Sequence, residues 1–227
     1  NDEAGEYIPH VAKEWEMSED KLTYTFYLRD DVKFQDGEPL TAKDVEFTYL
    51  AMADPNYDGR YFSYVDRIVG FEDYHDGDAD NLAGIKVIDD YTISFTFKEP
   101  EVVNFTYCNM PIMPKHYYDF EKGDIDSLKA KMQEPLGTGG YKFVKLEPGQ
   151  YVELTANPDY FLGSPKIENL ILKFTTKETY MAELEKGTID VQNSVTNTKE
   201  NLETMENMGF VSLNSFPNNG YSYIGLN

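Results

Sequence analysis

Two runs of alternating side chains constrain this chain more than anything else in it. In the first, Leu22, Tyr24, Phe26 and Leu28 interleave with Lys21, Thr23, Thr25 and Tyr27. In the second, Tyr91, Ile93, Phe95 and Phe97 recur at every other position and close against Glu99-Pro100. A period of two sends alternate side chains to opposite faces, so each run predicts a half-buried strand. The segment "GIKVI" before "DDYTISFTF" predicts a hairpin that turns at Asp89-Asp90.

Between the runs the pattern changes. "FQDGEPL" supplies a turn through Asp36-Gly37, where glycine and aspartate tolerate tight backbone. Thr41 followed by Asp44 resembles a capping box, and Val45, Tyr49 and Met52 recur at helical spacing until Asp54-Pro55. A polar, tyrosine-rich connection runs from Asn56. The stretch from Pro100 to about His116, with Pro111 and Pro114, reads as loop. Ile125, Leu128 and Met132 share a face of a predicted helix over residues 125–132.

Further on, "PLGTGGYKFVKLEPGQY" crowds four glycines and two prolines around a short apolar run. Part of it is hairpin chemistry: in Glu147–Gln150, proline and then glycine hold the central positions of a type II turn. That turn joins predicted strands at 141–146 and 151–155. A strand at 170–174 leads to a helix beginning near Thr176, with Tyr180 and Leu184 one turn apart and Gly187 at its left-handed end. "TIDV" reads as a short buried strand. A helix after Thr198 carries Leu202, Met205 and Met208 and ends at Gly209. Strands at 210–213 and 221–226 complete the reading. Alternating strands and helices favour an α/β layer of mixed type, with no internal repeat and no low-complexity segment.

Charge excludes several classes of partner. The chain carries 41 acidic and 20 basic side chains, a net charge of −21. Nucleic-acid binding rests on Lys and Arg neutralising phosphates, so no nucleic acid is expected, and anionic membrane surfaces are disfavoured for the same reason. Eighteen tyrosines and fourteen phenylalanines supply enough apolar surface for a folded core. Cys108 is the single cysteine, which rules out an intrachain disulfide; its apolar setting, "NFTYCNMP", predicts a buried, inert thiol. No stretch approaches the ~18 apolar residues of a membrane-spanning helix, and no signal-peptide pattern stands at Asn1.

Motifs of catalysis and metal binding fail on inspection. "GTGGYK" places Lys142 where a dinucleotide fingerprint needs its third glycine, and no phosphate-loop lysine-serine pair follows. "GYSYIG" around Ser222 is one residue too long for a nucleophile elbow. "DYHDGDAD", read as a calcium loop from Asp76, has Asn81 where glycine belongs and Val87 where glutamate belongs, so a solvated acidic loop is the better reading. No catalytic residue, metal site or cofactor is expected. A hydrolase built on two carboxylates stays open as an alternative, because 41 scattered acids hide any such pair. A structural or adhesive surface module is a third reading. Aromatic residues are dense in "DGRYFSYVDRIV", "NFTYCNMPIMP" and "GYSYIGLN"; most belong to packing, and some are candidates to line a cleft where tyrosine and asparagine hold a flexible ligand.

The order of these blocks resembles the extracellular solute-binding proteins of the peptide/nickel type, family 5 of the ABC importers. Pro9, Ala12 and Trp15, the strand ending at Leu28-Arg29, Phe34, Asp36-Gly37, Thr41-Ala42 and Asp44-Val45 match its long first signature. "IMPKHYYD" is similar to its Pro-Lys-His segment, and "PLGTGGYKFVKLEPGQYVELTANPDYFLGSPKIENLILKF" to its second signature. "AELEKGTIDV" and "YIGLN" follow in the family's order. One departure is Gly140, where the family often carries proline, which implies a looser turn.

The resemblance implies a periplasmic-binding-protein-like fold of type II. It also implies a fragment of the first lobe, because family members carry a leader before this block and a second lobe after it. The smaller subdomain is expected at 1–120, part of the main α/β domain at 121–215, and a crossover strand at 216–227. The implied function is non-enzymatic capture of oligopeptides, outside the cell or in the periplasm, for delivery to the membrane subunits of an ABC permease. The protein is expected to be a lipid-anchored or periplasmic monomer. A nickel chelate, haem, an opine or an oligosaccharide is the alternative cargo within the family. The ligand-binding residues it implies are Tyr223 and Asn227 at the crossover, with Thr138 and Tyr141 near the cleft.

Overall fold

A computed structural model describes residues 6–176, 178–193, 195–196 and 198–214. The chain divides into two compact units, Asn1–Leu172 and Lys173–Asn227.

The first unit is built on a four-stranded antiparallel sheet. Strands β1 (Ala12–Met17), β2 (Thr23–Leu28), β3 (Ile85–Asp89) and β4 (Thr92–Thr96) are ordered β1-β2-β4-β3. The alternation in β2 does what its period dictates: Tyr24, Phe26 and Leu28 are buried while their neighbours are half-exposed. Phe26 stands opposite Ile93 in the β2–β4 register and opposite Trp15 in the β1–β2 register. The β3–β4 hairpin turns at Asp89-Asp90, where the Tyr91 N–H donates to the Asp89 carboxylate (2.8 Å).

Helix α1 (Ala42–Ala53) lies between two cores. Nine of its twelve residues are buried, and the remaining three, Lys43, Glu46 and Leu50, recur at helical spacing on one narrow outward face. Val45, Tyr49 and Met52 pack on the sheet, with the Tyr49 and Phe95 ring centroids 4.7 Å apart. Phe47 and Ala51 face a satellite core made with Tyr118, Ile125 and Leu128. At its N-terminus Asp44 reaches back to accept from the Thr41 N–H (2.9 Å) and the Thr41 hydroxyl (3.0 Å). Asp44 also accepts from the Lys115 N–H (2.9 Å), and Thr48 Oγ1 accepts from the Met113 N–H (2.9 Å). Through these bonds α1 holds the 109–115 segment in place.

Helix α2 (Phe71–Asp76) takes in the first half of the stretch 73–80 expected to be an acidic loop, and Gly77–Asp80 remain turn and loop as expected. Gly70 and Gly77 bracket it with φ of +81° and +93°, so the glycines begin and end a helical turn that periodicity over six residues does not reveal. The proline-containing stretch expected to be loop contains two single-turn helices, α3 (Asn104–Tyr107) and α4 (Lys115–Tyr118). Helix α5 (Ile125–Lys131) follows, with Ile125 and Leu128 buried as predicted and Met132 left 45% exposed just beyond it.

Strands β5 (Tyr141–Glu147), β6 (Tyr151–Ala156) and β7 (Asn169–Lys173) make a three-stranded sheet in sequence order. The turn between β5 and β6 is the predicted one: Gly149 has φ +71° and the Gln150 N–H donates to the Glu147 carbonyl (3.0 Å).

In the second unit, helix α6 (Tyr180–Glu185) buries Tyr180 and Leu184, and Gly187 follows at φ +65°. Helix α7 (Lys199–Met208) is capped by Thr198 Oγ1, which accepts from the Asn201 N–H (3.2 Å), and ends at Gly209 with φ +72°. Met205 is its buried residue. The strands predicted at "TIDV" and 210–213 do not form: Val191 is 76% exposed and Phe210 64% exposed. Short apolar runs become strands only against a paired neighbour, and neither has one among the described residues. The predicted strand at 221–226 lies outside the described residues.

Candidate functional site

The glycine-rich stretch before β5 is a latched loop. Gln35 holds it from the side: its N–H donates to the Gly137 carbonyl (3.0 Å), and its Nε2 donates to the carbonyls of Gly139 (3.2 Å) and Tyr141 (2.7 Å). Asn157 donates from its N–H to the Gly140 carbonyl (2.8 Å) and from Nδ2 to the Gly139 carbonyl (3.3 Å). An anion cradle gathers N–H groups around its ligand; here the gathered groups are carbonyls. Gly140 is where close approach matters, since a Cβ there would stand 3.2 Å from Pro165 and 3.3 Å from the Tyr160 ring. Proline at this position would crowd those neighbours, so glycine tightens the packing here, contrary to the looser turn that the resemblance implies.

Held this way, Thr138 faces a concave cavity of about 440 Å³ in the first unit. Its floor is the sheet and helix: Phe26 and Leu28 from β2, Ile93 and Phe95 from β4, Val45 and Tyr49 from α1. One wall is the 105–112 segment, with Phe105, Cys108, Met110 and Ile112. Trp15 from β1 packs against that wall, its ring 5.4 Å from that of Phe105. Tyr7, His10, Asn109 and Thr138 supply the polar groups.

Electrostatically the cavity departs from the rest of the chain. None of its lining residues is Asp, Glu, Lys or Arg, although the chain carries 41 acids. Burial, reinforced by the Arg29 guanidinium, holds the His10 imidazole below its ordinary value of 6.5, so it is neutral at pH 7. His10 Nε2 pairs with the Tyr160 hydroxyl (3.3 Å), and the Tyr7 hydroxyl with Thr106 Oγ1 (2.7 Å). Burial pushes the Cys108 thiol far up, and its Sγ–H points at the Asn104 carbonyl (3.5 Å). The inert-thiol reading therefore holds: Cys108 packs and does not attack.

The residues implied by the resemblance separate. Thr138 lines the cavity. Tyr141 opens β5 and commits its hydroxyl to the Ile167 carbonyl (3.1 Å). Tyr223 and Asn227 lie outside the described residues, as does Ser222. The aromatic density of "NFTYCNMPIMP" did mark the cavity wall. Trp15 was visible only as a family match, and nothing in its own neighbourhood, "AKEWEM", marks it as a lining residue. In the acidic stretch, His75 stacks on Phe71 (5.1 Å) and its Nδ1 pairs with the Ala53 carbonyl (3.1 Å). Among the described residues no group of three or more His, Cys, Asp or Glu is placed to hold a metal ion.

The sequence model of the bacterial extracellular solute-binding proteins, family 5 (middle segment), matches residues 6–227. The di/tripeptide-binding protein 4 of Pseudomonas aeruginosa (strain UCBPP-PA14) is 32% identical over 185 residues, covering 75% of this chain and 33% of the relative. Among solved structures, lactococcal OppA complexed with an endogenous peptide in the closed conformation is 29% identical with a TM-score of 0.70, over 81% of this chain and 36% of that one. NikZ from Campylobacter jejuni in complex with Ni(L-His) is 31% identical with a TM-score of 0.68, over 80% of this chain and 34% of that one. The chain thus spans about a third of the length of the relatives it matches.

Proposed function

The chain belongs to the bacterial extracellular solute-binding proteins of family 5, and on that premise we propose that its protein captures short peptides outside the cell and hands them to the membrane subunits of an ABC importer. The fold is the mixed α/β fold of the type II periplasmic-binding proteins, and the family is one of transport proteins, not of enzymes. The observation that carries the peptide reading is the uncharged, aromatic-walled cavity beneath Thr138, rimmed by a few hydrogen-bonding groups. Such a surface holds a ligand by its apolar body and its amides, which is how a binder tolerates many peptide sequences.

We place the smaller subdomain of the first lobe at 1–120, main-domain residues at 121–215 and a crossover strand at 216–227. Thr138 acts at the cavity, with Tyr141, Tyr223 and Asn227 as further ligand-contacting positions. A hinged clamp suits this task, because a ligand that touches both lobes stabilises the closed state by its differential contacts alone. We assign the protein a lipid anchor or a periplasmic location, and the monomeric state. NikZ supplies a specific second reading, in which a nickel chelate replaces the peptide.

Calorimetric titration of the native protein decides between these cargoes. A pool of di- to octapeptides should bind with saturable heat, whereas Ni(L-His), haem and maltooligosaccharides should give dilution heat alone. Saturable binding of one of those three, with none for peptides, would overturn the peptide reading and keep the import role.

A further inference from the structure

The glycine-rich loop has two anchors, and they belong to different parts of the first unit. We propose that Gln35 is a positioning residue for ligand capture: without touching the ligand, it sets residues 137–141, Thr138 among them, against the sheet and helix of residues 1–120. The proposal rests on the peptide-capture reading above.

Asn157 is the first anchor. It follows β6 and is 2% exposed, so its bonds to Gly139 and Gly140 tie the loop to the β5–β7 sheet. Gln35 is the second. Its N–H and Nε2 donate to the carbonyls of Gly137, Gly139 and Tyr141, and its own carbonyl accepts from Lys142 Nζ (2.9 Å). Among the described residues it is the one member of 1–120 that hydrogen-bonds residues 137–141. Other ties across the same divide land outside the loop: the Leu136 N–H donates to the Tyr118 hydroxyl (2.9 Å), and His10 pairs with Tyr160 (3.3 Å).

Gln35 is itself held firmly. It sits in a tight tab, where the Phe34 N–H donates to the Glu38 carbonyl (2.8 Å), the Gly37 N–H to the Phe34 carbonyl (3.0 Å), and Phe34 is buried. Asp36 pairs with His116 Nε2 (2.7 Å), and the His116 ring stands edge-on to Phe34 (5.7 Å). The neighbouring Lys115 N–H donates to Asp44, so the tab is braced on α1. Thr138, by contrast, makes no side-chain hydrogen bond among the described residues, and backbone bonds alone set its place. Three glycines in four positions give the free loop wide conformational freedom. Ordering it beforehand removes an entropic cost from ligand binding. The two carbonyls before Nε2 require donors there, which an amide supplies and a carboxylate does not.

The test is calorimetric titration of the native protein, freed of ligand, with the pool of di- to octapeptides. Gln35→Ala should bind the pool about five- to thirtyfold more weakly, while its melting temperature falls by no more than about 5 °C. Gln35→Glu gives a signature that a merely structural role would not. At pH 8 its carboxylate faces carbonyls with nothing to donate; at pH 5 the protonated acid donates one bond. Its deficit against the unaltered protein should therefore shrink at least about threefold from pH 8 to pH 5. Asp36, His116, Glu134, Lys142 and Lys145 are the titratable groups around position 35, and both proteins carry them, so their own titration cancels in that ratio. Unchanged affinity for Gln35→Ala, with or without a melting loss, would overturn the proposal. So would a Gln35→Glu deficit equal at both pH values, which decides the matter if Gln35→Ala does not fold. No binding of the pool by the unaltered protein would instead overturn the capture reading.

Discussion

Asp44 is the residue whose loss the structure makes most costly for the cavity. It is buried, and one carboxylate receives three donors: the Thr41 N–H, the Thr41 hydroxyl and the Lys115 N–H, all at 2.9–3.0 Å. Asp44→Ala removes all three acceptor contacts at once. A hydrogen bond to a charged group contributes about 1.5–3 kcal/mol, and a lost helix cap alone costs ~1 kcal/mol. Thr41 and Lys115 lie partly in reach of water, so the sum is discounted to ~3–5 kcal/mol for Asp44→Ala. For a unit of this size that lowers the melting temperature by roughly 6–20 °C. Asp44→Asn keeps the shape and one acceptor oxygen but turns an NH₂ group toward a donor, so about half the loss is expected. Because the Lys115 bond anchors the 109–115 segment, both variants should also weaken peptide binding, Ala more than Asn. Differential scanning calorimetry of the intact protein gives the stabilities, and titration gives the affinities. A loss below about 1 kcal/mol for Asp44→Ala, or equal losses for Ala and Asn, would refute the reasoning.

Three further outcomes follow from the same structure. Iodoacetamide should alkylate Cys108 more slowly in the native protein than in urea, because its apolar surroundings raise the thiol even though the side chain is half-buried and lines the cavity; equal rates would show that those surroundings do not hold back the thiolate. Gly70→Ala should destabilise by ~3 kcal/mol or more, since φ is +81° and the new Cβ would stand 2.7 Å from the Ala83 nitrogen; Gly149→Ala, at φ +71° with open space, should cost only ~1–2 kcal/mol, and thermal melts that reverse this order would contradict the geometry. Acid should destabilise the fold through several carboxylates. Bonds from Lys129 and Lys98 hold Asp58 and Glu72 below their ordinary values of 3.8 and 4.5; Asp36, which burial alone would raise, is also held low by His116 and the Glu38 N–H. Groups with depressed folded values stabilise above their unfolded values and lose that contribution as pH falls through the folded ones, so the melting temperature should hold down to about pH 5 and fall below about pH 4. These pairs are exposed, so salt should shrink the fall; a flat profile to about pH 3 would sink the idea.

The elements that could be read in advance were those whose reason is local. Alternation made β2 and β4 visible, the Thr41–Asp44 pair marked the start of α1, and Pro148-Gly149 fixed the β5–β6 turn. Strand β1 escaped because "AKEWEM" has only Ala12 and Trp15 half-buried and four exposed positions, the pattern of an edge strand with little to bury. Helices α3 and α4 are single turns, too short for a 3.6-residue period to show. "TIDV" and residues 210–213 misled for the opposite reason: an apolar run has strand propensity whether or not a partner strand is present. The cavity is the least local feature. Its lining comes from residues near Tyr7, from β1, β2, β4 and α1, from 105–112 and from Thr138, and only folding brings these together. Aromatic density marked one wall in advance, and Thr138 entered through family resemblance alone.

The most direct test of the account is the identity of what the native protein carries. The protein should be purified from its own cells without added ligand, denatured, and the released small molecules identified by mass spectrometry. A mixture of short peptides is the predicted result. A single sugar, a metal chelate or haem in place of peptides would contradict peptide capture.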